Sequence, residues 1–263
     1  MSPSTRGSDP DGPAAARSGR PFAAELTRRL TPDARITVLT GAGVSAASGV
    51  PTFRGAGGLW KSFKPESLAT PQAFARDPRL VWEWYDWRRQ KIAACEPNLA
   101  HRVLASWSER FPNLTLITQN VDGLHERAGT RDVIRLHGSI WEVRCWRGCT
   151  ASPPRWRDDT VPHPEIPPRC PYCGDLIRPG VVWFGEALDP GIVDAATEAA
   201  NCDVFITIGT SAVVYPAASF IDLARRQGAF TVEINPEATP AMVDLALRGG
   251  AELVLPEIEA QLL

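Results

Sequence analysis

The sequence predicts an α/β protein built on a parallel sheet, with a small metal-stabilised module inserted into it. Short apolar runs alternate with helical patterns along the chain, which is typical of strands buried on both faces. Glycines and small polar residues follow several of these runs directly, at the strand ends where an open parallel sheet binds its ligands. A stretch with four clustered cysteines and few aliphatic residues interrupts the pattern. Because it cannot build a hydrophobic core of its own, it needs a cross-link such as a bound metal ion.

Length and charge limit the classes of protein that the chain can represent. Its 263 residues, 44% of them hydrophobic, suffice for one large domain or for a large and a small one. A net charge of −2 and a pI of about 6.1 give no strong field for nucleic acid or an anionic membrane. No apolar run approaches the roughly 20 residues of a membrane span. Residues 1–20 predict a disordered tail without a secretory signal.

The apolar periodicity assigns the main elements. A first helix is expected over 21–33, where Phe22, Leu26 and Leu30 recur at helical spacing. A helix over 80–92 places four side chains on one side: Val81, Trp84, Tyr85 and Arg88. Another helix opens at residue 97. Strands are expected over 36–39, 114–117, 133–136, 204–208, 230–234 and 253–255.

A glycine-rich turn after the first strand predicts a diphosphate site. Gly41 permits a tight turn, Gly43 lets the backbone approach phosphate oxygens, and the start of the next helix offers free N–H groups. Ala46 holds the third position of the dinucleotide fingerprint. The usual acidic residue about 20 positions on is missing, because Glu66 lies in a loop without a preceding strand. An ordinary dehydrogenase is therefore disfavoured, and a glycine-rich turn without a ligand stays the alternative.

The clustered cysteines predict a structural zinc site. They form a C-x-x-x-C pair and a C-x-x-C pair: Cys145 with Cys149, and Cys170 with Cys173. Four thiolates suit zinc and leave no open coordination position for water. Free cysteines, two disulfides, or His163 in place of one ligand are the alternatives. Cys95 and Cys202 are interpreted as buried small hydrophobes.

Polar residues after two predicted strands are the candidates for chemistry. His137 follows the third strand and has a side chain suited to general-base catalysis near neutral pH; a structural, hydrogen-bonding histidine is the alternative. Asn120 and Asp122 follow the second strand and could hold a carboxamide and a cationic ring, or else cap a helix. His101 and His125 are interpreted as structural.

Together these motifs resemble those of the sirtuins, which are NAD-dependent protein lysine deacylases. The similarity extends over roughly residues 22–256. The residues that carry it are G-A-G-V-S at 41–45, P-T-F-R-G at 51–55, T-Q-N-V-D at 118–122, L-H-G at 136–138, the four cysteines, V-W-F-G-E at 182–186, G-T-S at 209–211 and E-I-N at 233–235.

The resemblance implies a Rossmann-like large domain and a small zinc-binding domain, with NAD between them and one structural Zn²⁺. The boundaries expected are a tail over 1–20, the large domain over 21–139 and 181–263, and the zinc module over 140–180, joined by part of 55–95. The implied contacts of NAD are Gly41, Ala42, Gly43, Ser45, Ala46, Thr52, Phe53, Arg54, Trp60, Gln119, Asn120, Asp122, Gly209, Thr210, Ser211, Asn235, Pro236, Glu237 and Ala251.

The resemblance also implies the roles of the remaining site residues. His137 would be the base, acting with Asn120 and Asp122, in a reaction that releases nicotinamide, free lysine and O-acyl-ADP-ribose. The acylated peptide would add as a strand along Val182, Trp183, Phe184, Gly185 and Glu186.

Tyr85 and Arg88 match the Tyr-x-x-Arg motif of sirtuins that remove succinyl and malonyl groups, since a guanidinium forks onto a carboxylate. Ala69 is small and would leave room for the longer acyl chain. The alternative is that Arg88 makes an ordinary salt bridge and that Tyr85 belongs to the core. The resulting hypothesis is a desuccinylase and demalonylase with weaker deacetylase activity, which is monomeric, cytoplasmic, and independent of membrane and nucleic acid. A plain deacetylase, a mono-ADP-ribosyltransferase and a zinc-ribbon module that only binds NAD or nucleic acid stay open as alternatives.

Overall fold

The computed structural model describes residues 23–51, 68–211 and 213–262. Four of the predicted NAD contacts, Thr52, Phe53, Arg54 and Trp60, lie outside these residues, as does the predicted tail over 1–20. Within the described part, no helix has both the length and the apolar character that crossing a membrane requires.

The described chain folds into nine strands and eight α-helices. The strands are β1 (Ile36–Thr40), β2 (Leu114–Thr118), β3 (Ile134–Arg135), β4 (Gly138–Cys145), β5 (Trp156–Arg157), β6 (Ile177–Val181), β7 (Val204–Ile208), β8 (Phe230–Ile234) and β9 (Leu245–Leu247). The helices are α1 (Ala24–Thr27), α2 (Pro71–Arg76), α3 (Pro78–Ala93), α4 (Leu99–Arg110), α5 (Leu124–Arg127), α6 (Pro190–Ala199), α7 (Ala217–Arg226) and α8 (Ala251–Glu259).

Six strands form one parallel sheet in the order β3-β2-β1-β7-β8-β9. Every residue of β1 and β7 is buried, as expected of central strands covered by helices on both faces. The chain runs outward from β1 in one direction and returns to β7 on the other side. The carboxyl ends of β1 and β7 therefore meet at the crossover point, where such sheets bind dinucleotides.

The last predicted strand is wrong. Residues 253–255 lie inside α8, and the sixth strand is Leu245–Leu247. Val254, Leu255 and Ile258 are buried while Leu253 is 64% exposed, so the apolar run has the spacing of a helix face rather than of a strand. The first predicted helix is also shorter than expected, because α1 ends at Thr27 and its chain continues in turns.

The helices near the site begin with side-chain caps that the sequence supplies. Thr70 accepts a hydrogen bond from the backbone of Ala73, and Asp77 accepts one from Leu80. Each cap precedes a proline at the first helical position, where the missing N–H costs nothing. These caps fix the starts of α2 and α3, and α3 carries Tyr85 and Arg88.

A second, three-stranded sheet has the order β5-β4-β6 and is antiparallel. Phe74, Trp82 and Tyr85 from α2 and α3 belong to the same hydrophobic cluster as Val143 and Ile177 of this sheet. We propose that this sheet and the two helices together form the small domain, with the parallel sheet as the large one.

Candidate functional site

The glycine-rich turn packs against the loop that follows β7. The N–H of Gly43 donates to the carbonyl of Gly209 at 2.8 Å. A Cβ on Gly43 would lie 2.7 Å from the Cα of Gly209, and Gly209 itself has a φ of +60°. These glycines therefore allow two strand-end loops to touch. The segment after the turn, Ala42–Ser48, is a short 3₁₀ helix rather than the α-helix that the fingerprint predicts.

Three further strand ends are tied together at the same edge of the sheet. The side-chain amide of Gln119, after β2, donates to the hydroxyl of Thr210 at 3.0 Å. The amide of Asn235, after β8, donates to the carbonyl of Thr210 at 2.8 Å. Gly249, just before α8 and its first residue Ala251, donates to the carbonyl of Asn235. Three predicted NAD contacts are exposed at this edge: Ser211, Pro236 and Glu237.

Asn120 and Asp122 are buried beside the glycine-rich turn. The Asn120 amide donates to the Gly41 carbonyl at 3.1 Å. The Asp122 carboxylate accepts from the Ser45 hydroxyl at 2.8 Å and from the backbone of Leu124 at 2.9 Å. Burial raises the pKa of Asp122, and these hydrogen bonds oppose that shift. Both side chains are thus fixed by the glycine-rich turn, and Asp122 also by the backbone that follows it.

A small cavity opens to solvent at this point. Its lining joins the turn and the second strand end to helix α3, since Arg88 faces the same space as Asn120 and Asp122. Only 6% of Arg88 is exposed. Burial lowers the pKa of its guanidinium, and the neighbouring Tyr85 and Asp122 oppose that shift. The remaining wall is largely apolar and comprises Ala42, Val50, Pro51 and Val121.

His137 lies partly buried between the two sheets' strand ends. Its Nδ1 is 2.9 Å from the carbonyl oxygen of Gln119. A carbonyl only accepts, so Nδ1 carries the proton and Nε2 carries the free lone pair. Burial lowers the pKa of the imidazole below its usual 6.5. The ring is therefore neutral at pH 7 and able to accept a proton at Nε2.

Segment 182–186 runs beside His137 and α3. Val182 donates to the His137 carbonyl, and Phe184 donates to the Ala69 carbonyl, both at 2.9 Å. The indole N–H of Trp183 donates to the Tyr85 hydroxyl at 2.8 Å. The predicted peptide-binding segment therefore contacts Tyr85 directly.

Glu186 ends segment 182–186, and hydrogen bonds within the protein hold its carboxylate. It accepts hydrogen bonds from Arg178 at 2.5 and 3.0 Å, from Arg144 at 3.1 Å and from the Trp183 backbone at 2.8 Å. Arg144 and Arg178 were not predicted as partners of this segment, because a charged residue in a strand is usually expected to face solvent. Arg178 is only 3% exposed.

The four predicted zinc ligands come together at one end of the second sheet. Their sulfur atoms all lie within 4.8 Å of one another. The Cys145–Cys173 and Cys149–Cys170 separations are 3.7 and 3.9 Å, close to the roughly 3.8 Å edge of a tetrahedron with Zn–S bonds of about 2.3 Å. These separations exceed a disulfide bond, and all six cysteines are free. The donor set thus fits a closed, structural zinc site.

The remaining histidines and cysteines do not enter these sites as ligands. His163 contacts Asp86 at 2.9 Å and is not in the thiolate cluster, so it replaces no cysteine. Cys95 and Cys202 are buried, as expected. His101 and His125 are buried too, with ring centroids 4.9 Å apart. His101 nevertheless reaches the site, since its Nε2 is 3.3 Å from the Ser45 hydroxyl.

The fold and site define an α/β protein with a dinucleotide-type crossover site and an attached four-thiolate metal centre. Residues 41–216 match the Sir2 family. The chain belongs to this family. It is 57% identical over 206 residues to an NAD-dependent protein deacylase of Aquifex aeolicus, which covers 78% of this chain and 84% of the relative.

Solved structures of the family agree with this assignment. A Sir2 homologue in complex with NAD superposes with a TM-score of 0.80 at 46% identity, covering 91% of this chain and 94% of that one. A Sir2 protein bound to a myristoylated histone peptide has a TM-score of 0.71 at 33% identity, covering 90% of this chain and 94% of the other.

Proposed function

We infer that this chain is an NAD-dependent protein deacylase, and we propose that it prefers lysines carrying short acyl groups with a terminal carboxylate, succinyl and malonyl, over acetyl-lysine. Membership of the Sir2 family and the names of the relatives support the first part. The buried Arg88 in the cavity beside Asn120 and Asp122 is the observation that carries the second part. Protein substrates, a monomeric state and a cytoplasmic location are proposed from the sequence alone.

The strand ends fit a dinucleotide. Gly41 and Gly43 would hold the diphosphate, Gln119 the ribose, and Asn120 and Asp122 the nicotinamide. The adenosine end would meet the remaining proposed contacts, which are Gly209, Thr210, Ser211, Asn235, Pro236, Glu237 and Ala251. NAD, when bound, supplies an anomeric carbon whose leaving group is a cationic ring. The buried Asp122 carboxylate is suited to lie near that cation, because opposite charges attract strongly away from water.

His137 would act as the proton acceptor. Its Nδ1–H is engaged by the Gln119 carbonyl at 2.9 Å, which fixes the ring and directs the Nε2 lone pair away from that carbonyl. The lowered pKa keeps the imidazole neutral at working pH. A neutral, oriented histidine is the form that general-base catalysis needs.

Arg88 and Tyr85 would recognise the acyl carboxylate. Arg88 presents a buried cation to the cavity, and a guanidinium can bind both oxygens of a carboxylate at once. Burial raises the pKa of Tyr85, so its hydroxyl keeps its proton. That hydroxyl already accepts a bond from Trp183, so its own hydrogen is available to donate. Acetyl offers no charge to this pair, which is why we expect it to be the weaker substrate.

The experiment is an acyl-lysine peptide panel with NAD, followed by mass spectrometry. The panel holds acetyl, malonyl, succinyl and myristoyl peptides of one sequence. The expected products are deacylated peptide, nicotinamide and free O-acyl-ADP-ribose. ADP-ribose attached to protein would favour a mono-ADP-ribosyltransferase, and nicotinamide release without acyl-peptide dependence would contradict the deacylase. A preference of the wild type for acetyl or myristoyl would contradict the acidic-acyl proposal alone.

Substitution of Arg88 sharpens the test. Arg88→Met should raise the KM for succinyl-lysine by about 10- to 100-fold, because a charge-assisted hydrogen bond contributes about 1.5–3 kcal/mol. The KM for acetyl-lysine should change far less. The succinyl-lysine KM of Arg88→Lys should lie between those of the wild type and Arg88→Met, since lysine keeps the charge and loses the bidentate hydrogen bond. Arg79→Met, on the exposed face of the same helix, is the matched control. Equal loss on both substrates would reject the selectivity.

A further inference from the structure

We propose that Trp183 and Arg178 are positioning residues for acyl recognition, because together they orient the Tyr85 hydroxyl towards the acyl carboxylate. This inference rests on the proposed function. It adds to the Tyr-x-x-Arg motif two residues that the motif does not contain, and it gives the second sheet a part in substrate choice.

Trp183 occupies the lone pair of the Tyr85 oxygen. Its Nε1 is 2.8 Å from that oxygen, and both side chains are 2% exposed. An indole N–H can only donate, so the tyrosine oxygen is the acceptor in this contact. The tyrosine O–H is thereby available as a donor to a third group. A buried phenol without this contact could direct its hydrogen to the other side of the ring, because a hydroxyl that is not held as an acceptor can choose its donor orientation.

Arg178 holds Trp183 in place from the second sheet. Its guanidinium carbon lies 3.4 Å from the centre of the Trp183 ring system, which is a close cation–π contact. The same guanidinium donates one hydrogen bond to each carboxylate oxygen of Glu186, and Oε2 also accepts the backbone N–H of Trp183. The indole is therefore fixed through both its face and its backbone.

The zinc site lies next to this contact along the sheet. Arg178 is opposite Arg144 in the β4–β6 pairing, and the next pair contains the zinc ligand Cys145 opposite Ile177. Arg144 also donates to Glu186 at 3.1 Å. The order of contacts from the metal site is thus β4, Arg178, Trp183 and Tyr85, and the centre of the Tyr85 ring lies 5.9 Å from the guanidinium carbon of Arg88, which lines the cavity.

The test is a double-mutant cycle on succinyl- and acetyl-lysine peptides. Trp183→Phe keeps an aromatic ring and removes the N–H. Loss of one neutral hydrogen bond of about 1 kcal/mol predicts an approximately fivefold fall in the succinyl-to-acetyl ratio of kcat/KM, expressed mainly in the succinyl KM. In a Tyr85→Phe background the same substitution should leave the ratio unchanged, since the hydroxyl to be oriented is absent.

The control is Trp82→Phe. Trp82 is a buried tryptophan on the same helix as Tyr85, but its indole donates to the Ile177 carbonyl at 2.7 Å. The Trp82→Phe substitution should lower thermal stability without changing the succinyl-to-acetyl ratio of kcat/KM. Arg178→Lys provides a second perturbation, because it keeps a cation while losing the forked contact with Glu186; it should shift the ratio in the same direction as Trp183→Phe, by a smaller factor.

The outcomes separate the two proposals. A wild type without a succinyl preference overturns the proposed acyl preference, and with it this inference. A wild type that prefers succinyl, with effects of Trp183→Phe and Tyr85→Phe that multiply independently, overturns the inference alone. Equal losses on succinyl and acetyl peptides in both Trp183→Phe and Arg178→Lys would also overturn it, since they would show a general structural effect.

Discussion

The pair of buried histidines beneath the site predicts how stability depends on pH. Burial lowers the pKa of His101 to about 4 and that of His125 to about 3, against 6.5 for an exposed histidine. Thr40 donates its hydroxyl hydrogen to Thr118 and so accepts from Nε2 of His125. Within the described residues, Nδ1 of His125 has no hydrogen-bond partner. A proton added there would be a buried charge without an acceptor.

The sign and size of the effect follow from proton linkage. Below pH 6.5 the unfolded chain binds a proton at each histidine and the folded chain does not, so stability falls as pH falls. Well below pH 6.5 each such histidine contributes about 1.4 kcal/mol per pH unit, but between pH 6.5 and 5.5 it contributes only about 1 kcal/mol, because an unfolded histidine is half protonated at pH 6.5. The two together should therefore remove about 2 kcal/mol of unfolding free energy between pH 6.5 and 5.5, with the thiolate site kept saturated with zinc.

The assay is urea unfolding at several pH values between 5.5 and 7.5. His125→Gln should lower the slope of unfolding free energy against pH by about 1 kcal/mol per unit between pH 6.5 and 5.5, whatever its effect on absolute stability. Leu104→Ala is the control, since Leu104 is fully buried on the same helix as His101; it should cost about 2–5 kcal/mol at an unchanged slope. A wild-type slope retained in His125→Gln would refute the reasoning.

Three further predictions concern the site itself. His137→Tyr should abolish turnover while leaving the fold and zinc content unchanged, and wild-type kcat/KM should fall at acidic pH with an apparent pKa below 6.5, because the lowered pKa of His137 sets the acid limb; an acid limb above pH 7 would contradict this role. Strong chelation, or Cys170→Ser, should lower the melting temperature and release one zinc per chain, measured by a colorimetric chelator; unchanged stability after zinc loss would argue against a structural ion. Gly209→Ala should weaken NAD binding at least tenfold by calorimetry, since its Cβ would lie 2.5 Å from the Val44 nitrogen; wild-type affinity would show that the two loops can separate without cost.

The central strands and the thiolate cluster were predictable because each depends on local sequence. Apolar residues dominate β7 (V-F-I-T-I) and alternate with polar ones in β8 (F-T-V-E-I), and the structure gives both strands the predicted bounds. Cysteine pairs at close spacing bring their own ligands together, so little tertiary information is needed. Residues 253–255 failed as a strand because a three-residue apolar run has no period of its own. Its helical spacing appears only when Ala251 and Ile258 are included.

The partners of the site residues were less predictable, because they depend on which loops meet. The glycine-rich motif predicts a ligand beside Gly43, yet the backbone that approaches this residue most closely is that of Gly209. Nothing local to Arg178 indicates a cation stacked on Trp183, since the two residues belong to a strand and a loop whose packing is tertiary. Charged residues buried through such contacts are visible only once the sheet register is known.

The charges around the cavity give a physical reason why the binding of NAD and the binding of succinyl-peptide should be coupled. Arg88 and Asp122 face the same space, and each opposes the pKa shift of the other's buried group. Without ligands, the positive charge of Arg88 and the negative charge of Asp122 stabilise each other. An acyl carboxylate at Arg88 would weaken that compensation and leave Asp122 in need of a cation, which the nicotinamide ring of NAD carries. Succinyl-peptide and NAD should therefore bind with positive coupling, reciprocal in the two affinities, and acetyl-peptide, which brings no charge, should show less of it.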